Sequence, residues 1–421
     1  MGLFSKKSNQ ELKEAPLGYW EEESYMQVVP EEPSEELLDS VIDRVAGMEE
    51  IQIIDKHELT DSEPGRIKLR YENEEYEVGF YPSKFSLPEF YIKNYYFSNE
   101  ELEKLRNAQT ALTIFMKFNK NSKKSYHLQL KLALAMIPNT IGIMDESAEK
   151  MVPASWAKMA ANSKVLPSAN DLFTVQVVSG DGKEVWLHTH GLCRCGVTEL
   201  EILQSDKENY SNHYNLITTF ASYLLDKKEE AQNSAYIGVL SNRNPVVVTC
   251  MSWTKALKEY EKLNLGSIAD RENGHNSKTS VIFVYKSEED EKQEKVTKVS
   301  EFDKLWGDNP IFFISNEETA RMKALATERF DFVKEAAKNK ENKIIIKIGL
   351  PVDNEGNFEH IWFELIEFEG DNFRAKLTQE PYNVDNIHEG DERVYTVKDV
   401  TDWLIYTPDF AVNPSNAYLL K

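Results

Sequence analysis

The sequence predicts an α+β fold in two parts, built of mixed and antiparallel sheets with covering helices. Three observations carry this. Strand-like alternations come in runs and do not alternate regularly with helices, which argues against a βαβ array. At 421 residues the chain exceeds one ordinary core, and its length suggests about two to three domains. Beyond residue 316 the pattern changes to closely spaced strands, with turns marked by Gly356, Gly370 and Gly390.

Taken in order, residues 1–33 read as a disordered acidic lead-in. Met1 to Glu63 holds 17 acidic and 5 basic residues, and runs such as Glu21-Glu22-Glu23 repel themselves. Ser34 reads as an N-cap with Glu35 and Glu36 in the first turn, and Leu37, Leu38, Val41, Ile42 and Val45 recur at helical spacing up to Gly47. Strands are expected at Ile51–Ile54, Arg66–Tyr71, Tyr76–Tyr81 and Thr110–Phe118, with a short helix from Ser98 to Asn107. Ser125–Ile137 alternates like a strand, but its alanines and its length favour a helix. Further strands are expected at 141–144, 173–179, 246–250 and 281–285, with helices starting at Pro153, over Asp206–Lys228 and around Ser252–Leu263. Residues 34–285 thus form an N-terminal α+β region, which could hold two subdomains, and 286–316 a charged linker. Residues 317–421 form a small α+β domain, with a helix over Glu317–Ala337 and strands at 343–349, 360–369, 372–378 and 393–397.

Composition narrows function. Forty-nine basic against 71 acidic residues give a formal charge of −22, which disfavours nucleic acid and anionic membrane as partners. The one basic cluster, Lys117, Lys120, Lys123 and Lys124, reads as a solvated junction. Three cysteines make no disulfide framework, so reduced thiols and a cytoplasmic location are expected. No apolar run reaches the roughly eighteen residues a membrane span needs, and the first residues carry no secretory signal. Met1-Gly2 begins like a myristoylation site, but Lys6 stands where Ser or Thr is wanted.

Unusual residue types converge at Trp186–Gly196, where two of eight histidines and two of three cysteines lie within eight residues. Alternation places Trp186, His188 and His190 on one strand face, and Gly191 and Gly196 permit tight turns. His188, His190, Cys193 and Cys195 offer four ligands of types zinc accepts. Structural zinc sites, however, recruit a second and distant ligand pair, so a turn with partly buried histidines and cysteines is the favoured reading, with no cofactor. A thiolate nucleophile at Cys193 or Cys195, helped by Arg194, has no third group to orient it. Glu199 and Glu201 share a face and could act as paired carboxylates, although solvated alternation explains them equally well. In the last domain His360, Trp362 and Glu364 share a face, and Trp403 follows Asp402. These are binding-surface candidates, with a core role favoured for the tryptophans. The sequence holds no Walker loop, dinucleotide-binding glycine motif, H-E-x-x-H or G-x-S-x-G.

His360-Ile361-Trp362-Phe363-Glu364, Glu389-Gly390-Asp391 and Asp402-Trp403-Leu404-Ile405 resemble the YegJ-like bacterial domain of unknown function. Thr189, Gly191, Leu192, Gly196, Glu199, Leu200 and Glu201 match a T-x-G-L-x-x-x-G-x-x-E-L-E pattern, and so resemble a second uncharacterised bacterial family. The resemblances imply a cytosolic bacterial protein with a family-specific N-terminal region and a shared C-terminal module. They also imply that the glycines and the Glu-Leu-Glu matter more than the cysteines. The expectation is therefore a non-enzymatic binding or adaptor module with a protein partner of unknown identity. The rivals are a metal-dependent or thiol-based enzyme centred on His188–Cys195 and an acidic inhibitory or immunity-type protein that binds a basic target.

Overall fold

The computed structural model describes residues 22–32, 40–228, 230–240, 243–271, 278–306, 310–353 and 357–420. It is α+β with three sheets. The first sheet holds β1 (Glu23–Pro30), β2 (Ile51–His57), β3 (Gly65–Tyr71), β4 (Glu74–Lys84), β5 (Thr110–Lys117), β6 (Thr140–Asp145) and β7 (Lys150–Pro153). Their order is β2-β3-β4-β5-β1-β6-β7, and every neighbouring pair is antiparallel.

β1 corrects the expected lead-in. Residues 1–21 and 33 lie outside the described residues, as does the helix start at Ser34–Leu38, but Glu23–Pro30 is an interior strand of the sheet. With neighbours on both edges and cover on both faces it buries Met26, Val28 and Val29 completely. Tertiary packing outweighs the acidic flank that hid it. On one face lies the Ser122–Met136 helix, as its alanines predict. Most of its residues are buried, polar Ser125, His127 and Gln129 among them, so no single apolar stripe stands out. The Asn99–Asn107 helix covers the other face beside Phe85, Phe97 and Met144. Ser98 caps it and Glu101 completes a capping box.

The second sheet holds β8 (Thr174–Ser179), β9 (Glu184–His190), β10 (Glu199–Asp206), β11 (Ala235–Val239), β12 (Pro245–Ser252), β13 (Thr279–Tyr285), β14 (Thr297–Lys298) and β15 (Ile311–Phe312). Their order is β15-β11-β12-β13-β10-β9-β8, with β14 added on β13. β10 and β13 run parallel and the other pairs antiparallel, so the sheet is mixed. The Tyr210–Lys227 helix lays Leu216, Ile217, Phe220 and Leu224 on it. The expected linker is largely structured. Helices Glu288–Lys292 and Val299–Trp306 form there together with β14 and β15, anchored by buried Val299 and Phe302. Ser287 caps the first helix, whose acidic first turn suits a helix N-terminus. The helix expected around Ser252–Leu263 shortens to Trp253–Ala256 and a 3₁₀ turn.

The third sheet holds β16 (Lys343–Pro351), β17 (Phe358–Glu369), β18 (Asn372–Leu377), β19 (Glu392–Thr396), β20 (Val400–Tyr406) and β21 (Ala411–Val412), in the order β19-β18-β17-β16-β20-β21. The helix expected over 317–337 divides into Asn316–Glu328 and Phe330–Ala336. At the break, Arg329 Nη1 donates to the Pro414 carbonyl at 2.6 Å. One hydrophobic core runs through the first two sheets from Met26 to Phe302, and a second fills the third sheet around Ile346, Phe363, Phe373 and Trp403. Part of the expected basic cluster is neutralised: Lys123 pairs with Asp226 at 2.7 Å and Glu317 at 2.9 Å, and Lys124 with Glu72 and Glu74. No described helix is long and apolar enough to cross a membrane.

Candidate functional site

The β9–β10 hairpin forms as its alternation predicts, with Glu201 across from His188. Trp186, His188 and His190 line up along β9, with ring centroids 4.4 and 4.9 Å apart. All three are buried, and Glu149 Oε1 lies 3.3 Å from His190 Nδ1. Gly191 turns the chain at φ +111°, where a Cβ would stand 2.5 Å from the Leu172 carbonyl. Cys193–Cys195 is a single 3₁₀ turn, closed by Gly196 in the left-handed region.

Glu199 and Glu201 take separate partners. Glu199 accepts from Gly191 N at 2.8 Å, Cys193 N at 3.0 Å and Thr189 Oγ1 at 2.6 Å, so it holds the turn shut. Burial raises its carboxyl above the usual range, and these hydrogen bonds resist the rise. Glu201 accepts from Trp186 Nε1 at 2.8 Å, Thr279 Oγ1 at 2.7 Å and Arg271 Nη2 at 2.7 and 2.9 Å. The Arg271 guanidinium itself stacks near Trp253 at 4.6 Å and Trp186 at 5.4 Å. Solvated alternation does not describe either glutamate, since both are buried.

Cys193 is buried and Cys195 half-buried. Burial lifts the Cys193 thiol well above its ordinary value and the Cys195 thiol to about 12, despite the opposing charge of Arg194. All three cysteines are unbridged. Among the described residues no three His, Cys, Asp or Glu side chains are grouped so as to hold a metal ion.

Arg194, between the two cysteines, carries the principal contact that sequence reasoning missed. Its guanidinium enters the first sheet and grips Asp145 with two bonds, at 2.6 and 2.8 Å. It also donates to Ser24 Oγ at 2.9 Å and the Leu172 carbonyl at 2.6 Å, and lies over the rings of Tyr126 and Phe118. Burial opposes its charge, but the Asp145 carboxylate outweighs that and holds the guanidinium above its ordinary pKa.

Lys150 lies directly across the β6–β7 pair from Asp145 and is 2% exposed. Both Asp145 oxygens serve Arg194. Lys150 Nζ instead donates to the Asp171 carbonyl and sits 5.8 Å from the Tyr126 ring. Burial, joined by Arg194, lowers its pKa against the pull of Asp145 and Asp171. A cavity of about 670 Å³ opens beside it. Tyr95, Trp156, Phe173, Tyr214 and Tyr418 supply aromatic wall, and Asn94, Asn170, Asn413 and Asn416 supply amides.

Residues 24–167 match the model for the N-terminal domain of a protein of unknown function, DUF4026, and residues 175–283 match its C-terminal domain. Residues 317–412 match DUF2314, an uncharacterised protein conserved in bacteria. The chain carries both DUF4026 domains and a DUF2314 domain. No curated protein and no solved structure matches it. The Arg194–Asp145 pair therefore joins the two DUF4026 domains, and the cavity draws its walls from both, together with the segment that follows the DUF2314 match.

In the DUF2314 sheet the candidates separate onto two faces. Trp403 is fully buried and its Nε1 donates to the Ala326 carbonyl at 3.0 Å. Lys347 pairs across the strands with Trp362 on one side and Asp402 on the other, on the face opposite Trp403. The Lys347 ammonium lies 5.3 Å from the Trp362 ring. His360 stands across from Gly349 on that outer face, and its Nδ1 meets Thr401 Oγ1 at 3.2 Å. Burial raises the Asp402 carboxyl, opposed by the Trp403 backbone N–H and Lys347.

A second constellation escaped sequence reasoning. Ser205 Oγ lies 2.7 Å from His213 Nδ1, and His213 Nε2 lies 2.6 Å from Asp303 Oδ1. The residue types are those of an acyl-transfer triad, but the ring nitrogens are exchanged, since in such a triad serine meets Nε2 and the carboxylate Nδ1. Ser205 is moreover 1% exposed, inside β10. The relay fastens two helices to the sheet.

Proposed function

We propose that the chain is a non-enzymatic, cytosolic binding module that takes a metabolite-sized ligand into the junction cavity. The observation that carries this reading is the origin of its walls: Tyr95, Lys150 and Trp156 come from the first DUF4026 domain, Val175, Tyr214 and Thr218 from the second, and Asn413 to Tyr418 from the C-terminal tail. Ligand sites favour such junctions, and about 300–1,000 Å³ is the usual size. Unbridged cysteines suit a reducing compartment. A thiol or metal enzyme centred on His188–Cys195 has less support, because burial raises both thiols, which favours their protonated form, and the described side chains there are not grouped so as to hold a metal ion. An inhibitor of a basic target draws support from the charge of −22 alone. The narrower YegJ-like assignment of the last domain rests on the His360, Asp391 and Trp403 motifs, and the division at 34–285, 286–316 and 317–421 is likewise proposed from sequence.

A thermal-shift screen of metabolites against the full chain and its Thr218→Trp variant tests the reading. At one hundred times Kd a ligand adds about 2.7 kcal/mol to stability. Hits should vanish when the indole fills the cavity. Hits that persist unchanged in the variant place binding elsewhere and overturn the proposal.

A further inference from the structure

Lys150 singles out the ligand's chemistry. A lysine ammonium has three N–H donors. Among the described residues it finds one acceptor, the Asp171 carbonyl, and no carboxylate within ion-pair reach. A buried charge in that state is costly unless it is paired. The surrounding charges fix what is missing. Arg194 and Asp145 cancel as a bidentate pair. Asp171, half-buried, has its carboxyl pushed toward the neutral form by desolvation, against the pull of Lys150 and Arg321. Lys150 is thus a side chain at the cavity wall with spare donors and no carboxylate of its own among the described residues, and an anion there would hold it in the charged form against burial. Around it the aromatic side chains give an apolar wall, and the four asparagines carry amide donors and acceptors.

We propose, building on the binding reading above, that the cavity takes a small monoanion with a planar apolar body, its carboxylate on Lys150 and its ring against Trp156, Tyr214 and Tyr418. A dianion fits less well, because it would leave a buried negative charge close to Asp145 and Asp171. A cation is excluded by Lys150 itself.

The test compares 2-naphthoate with its neutral isostere 2-naphthamide by titration calorimetry on the full chain at pH 7. The expected result is a preference of tenfold or more for the carboxylate, lost in Lys150→Met and retained in Lys93→Met, whose lysine also lines the cavity. The proposal is overturned if wild type binds the amide as well as the acid, if it binds neither, or if Lys150→Met keeps the preference. The wild-type comparison decides the matter even if Lys150→Met does not fold. Thr218→Trp separates the two levels. Binding of either probe that survives there removes the cavity reading itself, whereas equal affinity for acid and amide, abolished by Thr218→Trp, removes the anion inference alone.

Discussion

Replacing Arg194 by Met should be among the most damaging single changes in the chain. The substitution keeps much of the aliphatic volume and removes the guanidinium, which is 1% exposed and faces a carboxylate that is wholly buried. Four hydrogen bonds disappear with it, two of them to Asp145. Breaking one side of a buried pair costs about 3–5 kcal/mol, chiefly because the other charge is stranded. Against a typical total of about 5–15 kcal/mol this is decisive. Urea unfolding followed by tryptophan fluorescence measures it. At an m-value of about 2–3 kcal/mol/M the midpoint should fall by about 1–2 M. The double variant Arg194→Met with Asp145→Leu should recover at least about 1 kcal/mol relative to the single change, because an apolar pair carries no stranded charge. A midpoint shift below about 0.3 M would show that water reaches Asp145, and a double variant as poor as the two single changes added together would refute the stranded-charge account.

Further outcomes follow from single side chains. Folding raises the Cys193, Cys195 and Cys250 thiols, Cys195 to about 12, so their contribution is complete below the unfolded pKa of about 8.5 and declines as pH rises above it. Stability should fall by about 1.4 kcal/mol per pH unit per thiol over that window, and native protein at pH 7 should resist iodoacetamide while urea-unfolded protein takes up three equivalents. Trp403→Ala should cost about 3–5 kcal/mol, whereas Trp362→Ala on the outer face should cost far less; melting temperatures of the two variants check this. Gly191→Ala should cost about 1–3 kcal/mol, since its φ of +111° and the Leu172 carbonyl both oppose a Cβ. A fluorophosphonate probe should leave Ser205 unlabelled in the folded chain, and labelling there would reopen a hydrolase reading.

Local pattern reached the elements and stopped at their partners. The β9–β10 hairpin, its two glycines and the Ser122–Met136 helix follow from alternation, positive-φ positions and alanine content over a dozen residues. β1 did not, because its apolar residues are set among acids and its place is decided by β5 and β6, more than eighty residues downstream. The site has the same limit. Glu199 and Glu201 drew attention as a pair, yet Glu201 is explained by Arg271, seventy residues on. Arg194 was noted only as a neighbour of thiols, although a charged residue inside a Leu-Cys-x-Cys turn already signals a buried partner. Lys150 carried a comparable sign, a cation opening the short apolar run Met151-Val152-Pro153. Periodicity does not encode a contact between two distant single residues.

The placing of β1 constrains how the chain can be made. Its slot is bounded by strands ending at Lys117 and Asp145, so on the ribosome the earliest described strand must wait for more than eighty further residues before its first flank exists and for more than a hundred before the second does. Until then Met26, Val28 and Val29 are exposed and sticky, and the meander from β2 to β5 can assemble without them. The acidic run just upstream is well placed to keep that waiting segment from associating with other nascent chains. Any shortened version that begins after Pro30 would leave two complementary edges facing an empty lane, open to a strand from a neighbouring molecule.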